Sequence, residues 1–270
     1  MKMINSNLIS SLYNISTGHY YSVHNAIVQL MVSTKNELKV EPLYKLFYLI
    51  NECFTMNLDL LSKTYIDYDI LGFAGVKRNT RVAIEAYIDL YNLVVNNDYL
   101  MVMKKYNRID FENTNEQEIY DNYMETNRFN NEYVSKKTKI DIAKKNGMNA
   151  KFADYLSEIY DNYSDYSHPN IFVIKNYEYV SKEELDNKEL IKLNINLLYD
   201  SLKTLSQWTC NKYEYLFEYH HLIMHKQLIY DIGILVNNVI TAIDRYSIYS
   251  YLDLYPIWQA RQNDTIVNMY

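Results

Sequence analysis

Three groups of residues carry side chains whose types and spacing could do chemistry. The first is Arg81-x-x-x-Glu85-x-x-x-Asp89. Residues four apart stack on one helix face, so this set has two readings. One is an ion pair supporting its own helix, worth roughly a few tenths of a kcal/mol. The other is an arginine fixed by Glu85 and aimed into a groove between helices. On a helical wheel Arg81 sits at the edge of the apolar stripe, and Glu85 and Asp89 step toward the polar side. The second group is Tyr163-Ser164-Asp165-Tyr166-Ser167-His168-Pro169. Pro169 disfavours helical geometry at His168, so a helix should end there, and a histidine at a helix C-terminus is stabilised as the cation. Such an imidazole, held by the Ser164 hydroxyl or by Arg81 and Glu85, could bind phosphate or act as a general acid. The third group is Glu214, Glu218, His221 and His225, at steps of four, three and four. Glu218-x-x-His221 is half of a di-iron bundle motif, but no second Glu-x-x-His occurs in the chain, so Glu218, His221 and His225 are weak metal candidates.

Equally informative are the patterns that are missing. There is no Walker-type phosphate loop, no Gly-x-Gly-x-x-Gly and no Gly-x-Ser-x-Gly elbow, so common nucleotide-cradling and acyl-transfer enzymes are disfavoured. Cys53 and Cys210 stand far apart outside any metal-knuckle spacing, which fits a reducing compartment. The formal net charge of −6 argues against a surface devoted to nucleic-acid phosphate, although a local basic patch is compatible with it. The N-terminus leads into no long apolar run, and Ile229 to Ile243 is interrupted by Asp231, Asn237 and Asn238. No signal peptide, no membrane span and no cofactor are therefore expected, and a cytoplasmic location is.

The elements that must position these residues are predicted to be helices. Only 5 glycines and 3 prolines occur in 270 residues, too few for turn-rich sandwiches or for the loops of parallel α/β folds. Ile84, Tyr87, Ile88, Tyr91 and Val95 make one apolar stripe, and Phe152, Tyr155, Leu156, Ile159, Tyr163 and Tyr166 make another. These spacings predict helices over 80–96 and 152–167. Pro42 suits a first helical turn and predicts a helix to about Ser62. Ser181 and Glu184 form a capping box opening a helix that runs to about Asn211. Tyr213 to about Tyr246 reads as one long helix or a pair broken near Gly233. Thr64 to Gly75 reads as a loop or short turn because it holds Gly72 and Gly75, and 171–180 as an extended or hairpin segment. The polar stretch 107–149 is expected to be a charged, less ordered helical arm. The fold expected is all-α, a multi-helix bundle in a single domain over 1–270, with a split near 180 as the alternative. The 30 tyrosines want a partner for each hydroxyl they bury.

Arg81/Glu85, Gly147-Met-Asn-Ala-Lys-Phe-Ala153 and Tyr160/Ser164/His168/Pro169 together resemble a family of helical bacterial proteins. That family is loosely similar to the HEPN group, many of whose members are RNases or partners in toxin–antitoxin and phage-defence systems. The resemblance spans about residues 75 to 172. One departure stands out: HEPN ribonucleases carry Arg, four to six residues, then His on one helix, and no histidine here has that arginine. The composition, the missing catalytic motifs, the charged stretch around 104–151 and this loose similarity together lead to the expectation of a non-catalytic interaction protein of bacterial or phage origin, acting in phage–host conflict on a protein or ribonucleoprotein partner. Lys136, Lys137, Lys139, Lys144, Lys145 and Ser164 are the candidate binding residues. The alternative is a HEPN-like ribonuclease or nucleotide-binding enzyme in which Arg81, Glu85 and His168 converge. RNA is a possible ligand, and the Tyr-rich faces are compatible with a homodimer.

Overall fold

The computed structural model describes residues 40–67, 70–129, 132–164 and 188–213, together with residues 230, 234 and 237. Seven helices occupy these segments, with no strand among the described residues: α1 (Val40–Asp67), α2 (Ile70–Val95), α3 (Tyr99–Tyr106), α4 (Thr114–Thr126), α5 (Lys136–Lys145), α6 (Ala150–Ser164) and α7 (Lys188–Tyr213). The all-α bundle expected from the scarcity of glycine and proline is what forms. No helix among the described residues is long and apolar enough to cross a membrane. The segment 171–180, the Ser181/Glu184 box and most of the helix read over 213–246 lie outside the described residues.

The centre of the bundle is α2. Ala83, Ile84, Ala86, Tyr87, Ile88, Leu90 and Leu93 are all buried, so the helix is covered on nearly every side rather than along one stripe. On one flank α1 runs antiparallel to it. Of the loop or short turn expected over Thr64 to Gly75, residues 64–67 and 70–75 are helical, and residues 68 and 69 lie outside the described residues. The reason is visible at Gly75, where a Cβ would come within 2.8 Å of Leu60 Cδ1. Glycine here marks a close approach of two helices, not a turn.

A buried polar triad ties α1, α2 and α7 together. Asn57 Nδ2 donates to Asn194 Oδ1 at 2.9 Å, and Asn194 Nδ2 donates to Thr80 Oγ1 at 2.9 Å. Thr80 in turn bonds the Val76 carbonyl at 2.8 Å. All three residues are buried, so each bond replaces water that the site excludes.

On the other flank α3, α4, α5 and α6 fold back over α2. The charged stretch over 107–149 is helical, but it is no free arm. Tyr120, Tyr123, Met124, Val134, Ile140, Ile142, Ala143 and Met148 join one continuous core with α1, α2, α6 and α7. Three helices in this stretch end the same way. Arg108, Arg128 and Gly147 take φ of 57, 58 and 98°, and the next amides (Ile109, Phe129, Met148) reach back to the carbonyls of Lys104, Met124 and Ala143. These are Schellman endings, each closed by an apolar residue. Starts are equally explicit: Asn113 caps α4, and Ser135 with Thr138 forms a reciprocal capping box on α5.

Removing one member of the α1–α2–α7 triad strands the others in a dry site. Asn194→Ala is expected to lower stability by about 2–3 kcal/mol, measurable as a cooperative shift in urea or thermal unfolding. An unchanged midpoint would show that the triad is not dry.

Candidate functional site

The helices around α2 bring the first group of chemistry-bearing residues against Tyr160 of α6, one turn before Ser164; Asp165 to Pro169 of the second group lie outside the described residues. Arg81, Glu85 and Asp89 project from successive turns of α2 toward α3, α5 and α6. Arg81 does not pair with Glu85. Its Nη2 donates to Tyr160 Oη of α6 at 2.7 Å, and its guanidinium carbon lies 4.3 Å from the Tyr160 ring centroid. Tyr160 Oη then donates to Glu85 Oε2 at 3.2 Å, so the phenol bridges the cation and the carboxylate. The other Glu85 oxygen accepts from Lys139 of α5 at 3.2 Å. Lys139 also donates to Asp89 Oδ2 at 2.7 Å, and Tyr99 of α3 closes the row by donating to Asp89 Oδ1 at 2.6 Å. The Lys139 ammonium sits 3.9 Å from the ring centroid of Tyr106, also from α3. Four helices are thus joined through two cations and two carboxylates whose charges cancel.

Burial grades along this row. The side chains of Lys139 and Asp89 are 2% and 7% exposed, whereas that of Glu85 is 28% exposed, so the cluster is sealed at Asp89 and opens toward Glu85 and Arg81. The titration behaviour follows. Burial works to raise Glu85, but the Lys139 ammonium and hydrogen bonds from Lys139, Tyr106 and Tyr160 outweigh it and hold the carboxyl below its ordinary value. At fully enclosed Asp89 burial prevails over Lys139 and Tyr99, and the carboxyl is raised. Burial, followed by the neighbouring carboxylate, raises the phenols of Tyr99, Tyr106 and Tyr160. They remain hydrogen-bond donors at neutral pH and are not nucleophiles. Burial, followed by Glu52, pushes the Cys53 thiol up to about 12, so it is no thiolate either.

Among the other sequence candidates, the structure separates the lysines. Lys139, expected on a binding surface, is in the core, because the acids of α2 need a cation inside. Lys136 pairs with Asp161 at 2.5 Å and lies 4.9 Å from the Tyr160 ring centroid, on the margin of the cluster. Lys144 pairs with Asp154, and Lys145 donates to the Asn127 carbonyl at the end of α4 and covers the Phe129 ring. Lys137 is exposed. Ser164 Oγ donates to the Tyr160 carbonyl one turn back at 2.8 Å. His168 and the weak metal candidates Glu218, His221 and His225 lie outside the described residues, among which no group of three potential ligands assembles.

Asp89, expected toward the polar side of its helix, is buried, and Tyr99 and Tyr106, which are not among the sequence candidates, complete the cluster. A signal was present: Asp89 stands between Ile88 and Leu90, and an acid enclosed by apolar neighbours must find a cation and donors. The apolar face of α6 is also displaced from its expected stripe. Ala153, Leu156 and Tyr160 are buried, whereas Tyr155 is 38% exposed. Comparison with protein-family models, with curated proteins and with solved structures finds no match.

The buried pairing predicts strong coupling. Lys139→Met alone leaves two acids facing one another and should cost about 3–5 kcal/mol. Combined with Asp89→Asn it should cost clearly less than the sum of the single changes, which a double-mutant cycle by urea unfolding measures. Additivity would mean that the two groups do not interact. The acid side has a sign as well. Glu85, held below its ordinary value, contributes stability that is full above that value and lost as pH falls through the lower folded value. Asp89, raised, works in the opposite sense, because protonating it relieves a burial penalty. Glu85→Gln should therefore flatten the loss of stability between about pH 6 and about pH 3, and Asp89→Asn should steepen it. Parallel profiles for both variants would contradict this assignment.

Proposed function

We propose that this chain is a non-catalytic helical interaction protein of bacterial or phage origin. It acts in phage–host conflict by binding a protein or ribonucleoprotein partner in the cytoplasm. The observation that carries the first half of this reading is the use made of Arg81, Glu85, Asp89, Lys139 and Tyr160. Each is engaged with another of the set, and the bonds link α2 to α3, α5 and α6. A general base or a nucleophile needs a tuned pKa and a reachable partner. Here the carboxylates neutralise a buried cation and the phenols are raised. The setting in conflict systems rests on the resemblance of Arg81/Glu85 and Tyr160/Ser164/His168 to helical bacterial proteins near the HEPN group. The exposed surface left for a partner includes Ile109, Tyr133 and Lys137. Affinity capture with the tagged full-length chain should return one stoichiometric partner from host lysate, and a chain recovered alone at every salt concentration would count against the reading.

A second reading, the HEPN-like ribonuclease or nucleotide-binding enzyme, draws support from one fact. Arg81 and Glu85, distinct positions of one motif, meet on Tyr160 of the other motif. It needs His168 as the proton-transfer group. Wild type and His168→Ala should then differ in degrading single-stranded RNA; the interaction reading expects equal, background rates.

A further inference from the structure

Arg81 holds a donor that the polar cluster leaves unsatisfied. A guanidinium presents its Nε–H and its Nη2 on one edge, spaced to meet two oxygens of a carboxylate or phosphate at once. In this structure a single phenol oxygen stands at that edge: Tyr160 Oη takes Nη2 at 2.7 Å, and the Arg81 Nε is buried with no acceptor. Buried N–H groups in folded proteins are nearly always paired, so an orphan beside a half-used edge marks a missing acceptor. The phenol also has a second partner. Tyr160 Oη already contacts Glu85 Oε2 at 3.2 Å, which can hold the hydroxyl when it leaves the arginine.

We propose that Arg81 is an oxyanion-binding residue latched by Tyr160, its Nε/Nη2 edge taking a phosphate or carboxylate group in place of the tyrosine hydroxyl. Each carboxylate facing the edge is paired with a cation. Of the facing groups, Glu85 and Asp89 of α2 share Lys139 of α5, at 3.2 and 2.7 Å. Asp161 of α6 is paired with Lys136 of α5, whose ammonium lies 4.9 Å from the Tyr160 ring centroid. Tyr106 of α3 is a neutral phenol that sets its hydroxyl toward Glu85 and Tyr160. With Arg81 and Lys139 balanced by Glu85 and Asp89, and Lys136 by Asp161, the pull on an incoming anion is local and comes from the unpaired Nε–H and the Nη2 on one edge of Arg81. Access lies on the Glu85 side, where the cluster is least enclosed. This site goes beyond the interaction reading and does not depend on it, since the oxyanion could be a free ion or a group borne by a partner.

Isothermal titration of the full-length chain with inorganic phosphate, and separately with acetate, at constant ionic strength tests it. The wild type should bind one equivalent of at least one of the two anions, and which one binds distinguishes the phosphate source from the carboxylate source. Tyr160→Phe keeps the ring against Arg81 but removes the competing hydroxyl, so its affinity should rise about tenfold, the equivalent of one hydrogen bond. Arg81→Lys keeps the charge and loses the two-donor edge, so its affinity should fall at least tenfold. Thermal melts establish that each variant is folded. Should Arg81→Lys fail to fold, the Tyr160→Phe gain decides alone. No saturable binding of either anion, no gain in Tyr160→Phe, or a folded Arg81→Lys that binds like the wild type would overturn the proposal.

Discussion

Lys139 is a primary amine enclosed in a protein core, and much of the second flank of the bundle follows from that fact. An isolated ammonium could not remain charged there, because the loss of hydration would far exceed any packing gain. It is tolerated because Glu85 and Asp89 stand one turn apart on α2 and meet it from two directions. Such a pair need not add net stability over an apolar replacement. What it supplies here is register. Sliding α5 by one residue along α2 would leave two acids and an amine unpaired, whereas apolar side chains would accept the slip with little penalty. The same register is repeated in neutral form a few residues on. Asn92 Nδ2 donates to the Lys139 carbonyl at 3.0 Å, and Asn146 Nδ2 donates to Asn92 Oδ1 at 3.0 Å.

The opposite flank uses the same device without charge. Asn57, Thr80 and Asn194 fix α1 and α7 on α2 by amides and a hydroxyl, and Gly75 lets α1 approach closely enough for them to meet. The central helix therefore carries polar locks on two sides, one ionic and one neutral, set in an otherwise apolar surface. A chain so rich in tyrosine is suited to this plan. Tyr99 fills the core with its ring and finishes the Asp89 shell with its hydroxyl. Tyr160 likewise packs its ring under Arg81 and joins it to Glu85. Leucine could do the first half of either task and not the second.

Helix content and the stripe on α2 were legible in the sequence because both depend on local pattern: few glycines, few prolines and apolar residues at helical spacing. Arg81 and Glu85 were legible as a pair of interest for the same reason. Their partners were not, because Tyr160 and Lys139 are more than fifty residues away and nothing in a single sequence ties them together. The glycine rule failed at Gly75 because a glycine that admits a neighbouring helix and a glycine that makes a turn look alike in one dimension. The lysines of α5 were misjudged by averaging. A helix reading Lys-Lys-Thr-Lys-Ile-Asp-Ile-Ala-Lys-Lys looks solvated throughout, yet position 139 lies on the side it turns to α2, next to Ile140 and in phase with Ile142 and Ala143.

The scarcity of glycine has a structural counterpart at the helix ends. Of the three Schellman endings in the chain from α3 to α5, one uses Gly147 and two use arginine at φ near 57°, a conformation that crowds a Cβ by roughly 1 kcal/mol or more. In each case an asparagine precedes and an apolar residue follows, and those neighbours sustain the ending: Asn107 and Asn127 bond carbonyls four residues back, while Ile109, Phe129 and Met148 complete the backbone ring. The endings reverse the chain after α3, α4 and α5, which lets consecutive short helices pack back on α2. Arg81, at the open margin of the charge cluster, keeps an unpaired buried donor. A strong donor left unused beside a phenol that already bonds Glu85 is the place in the cluster where an added acceptor would form a hydrogen bond without breaking an ion pair.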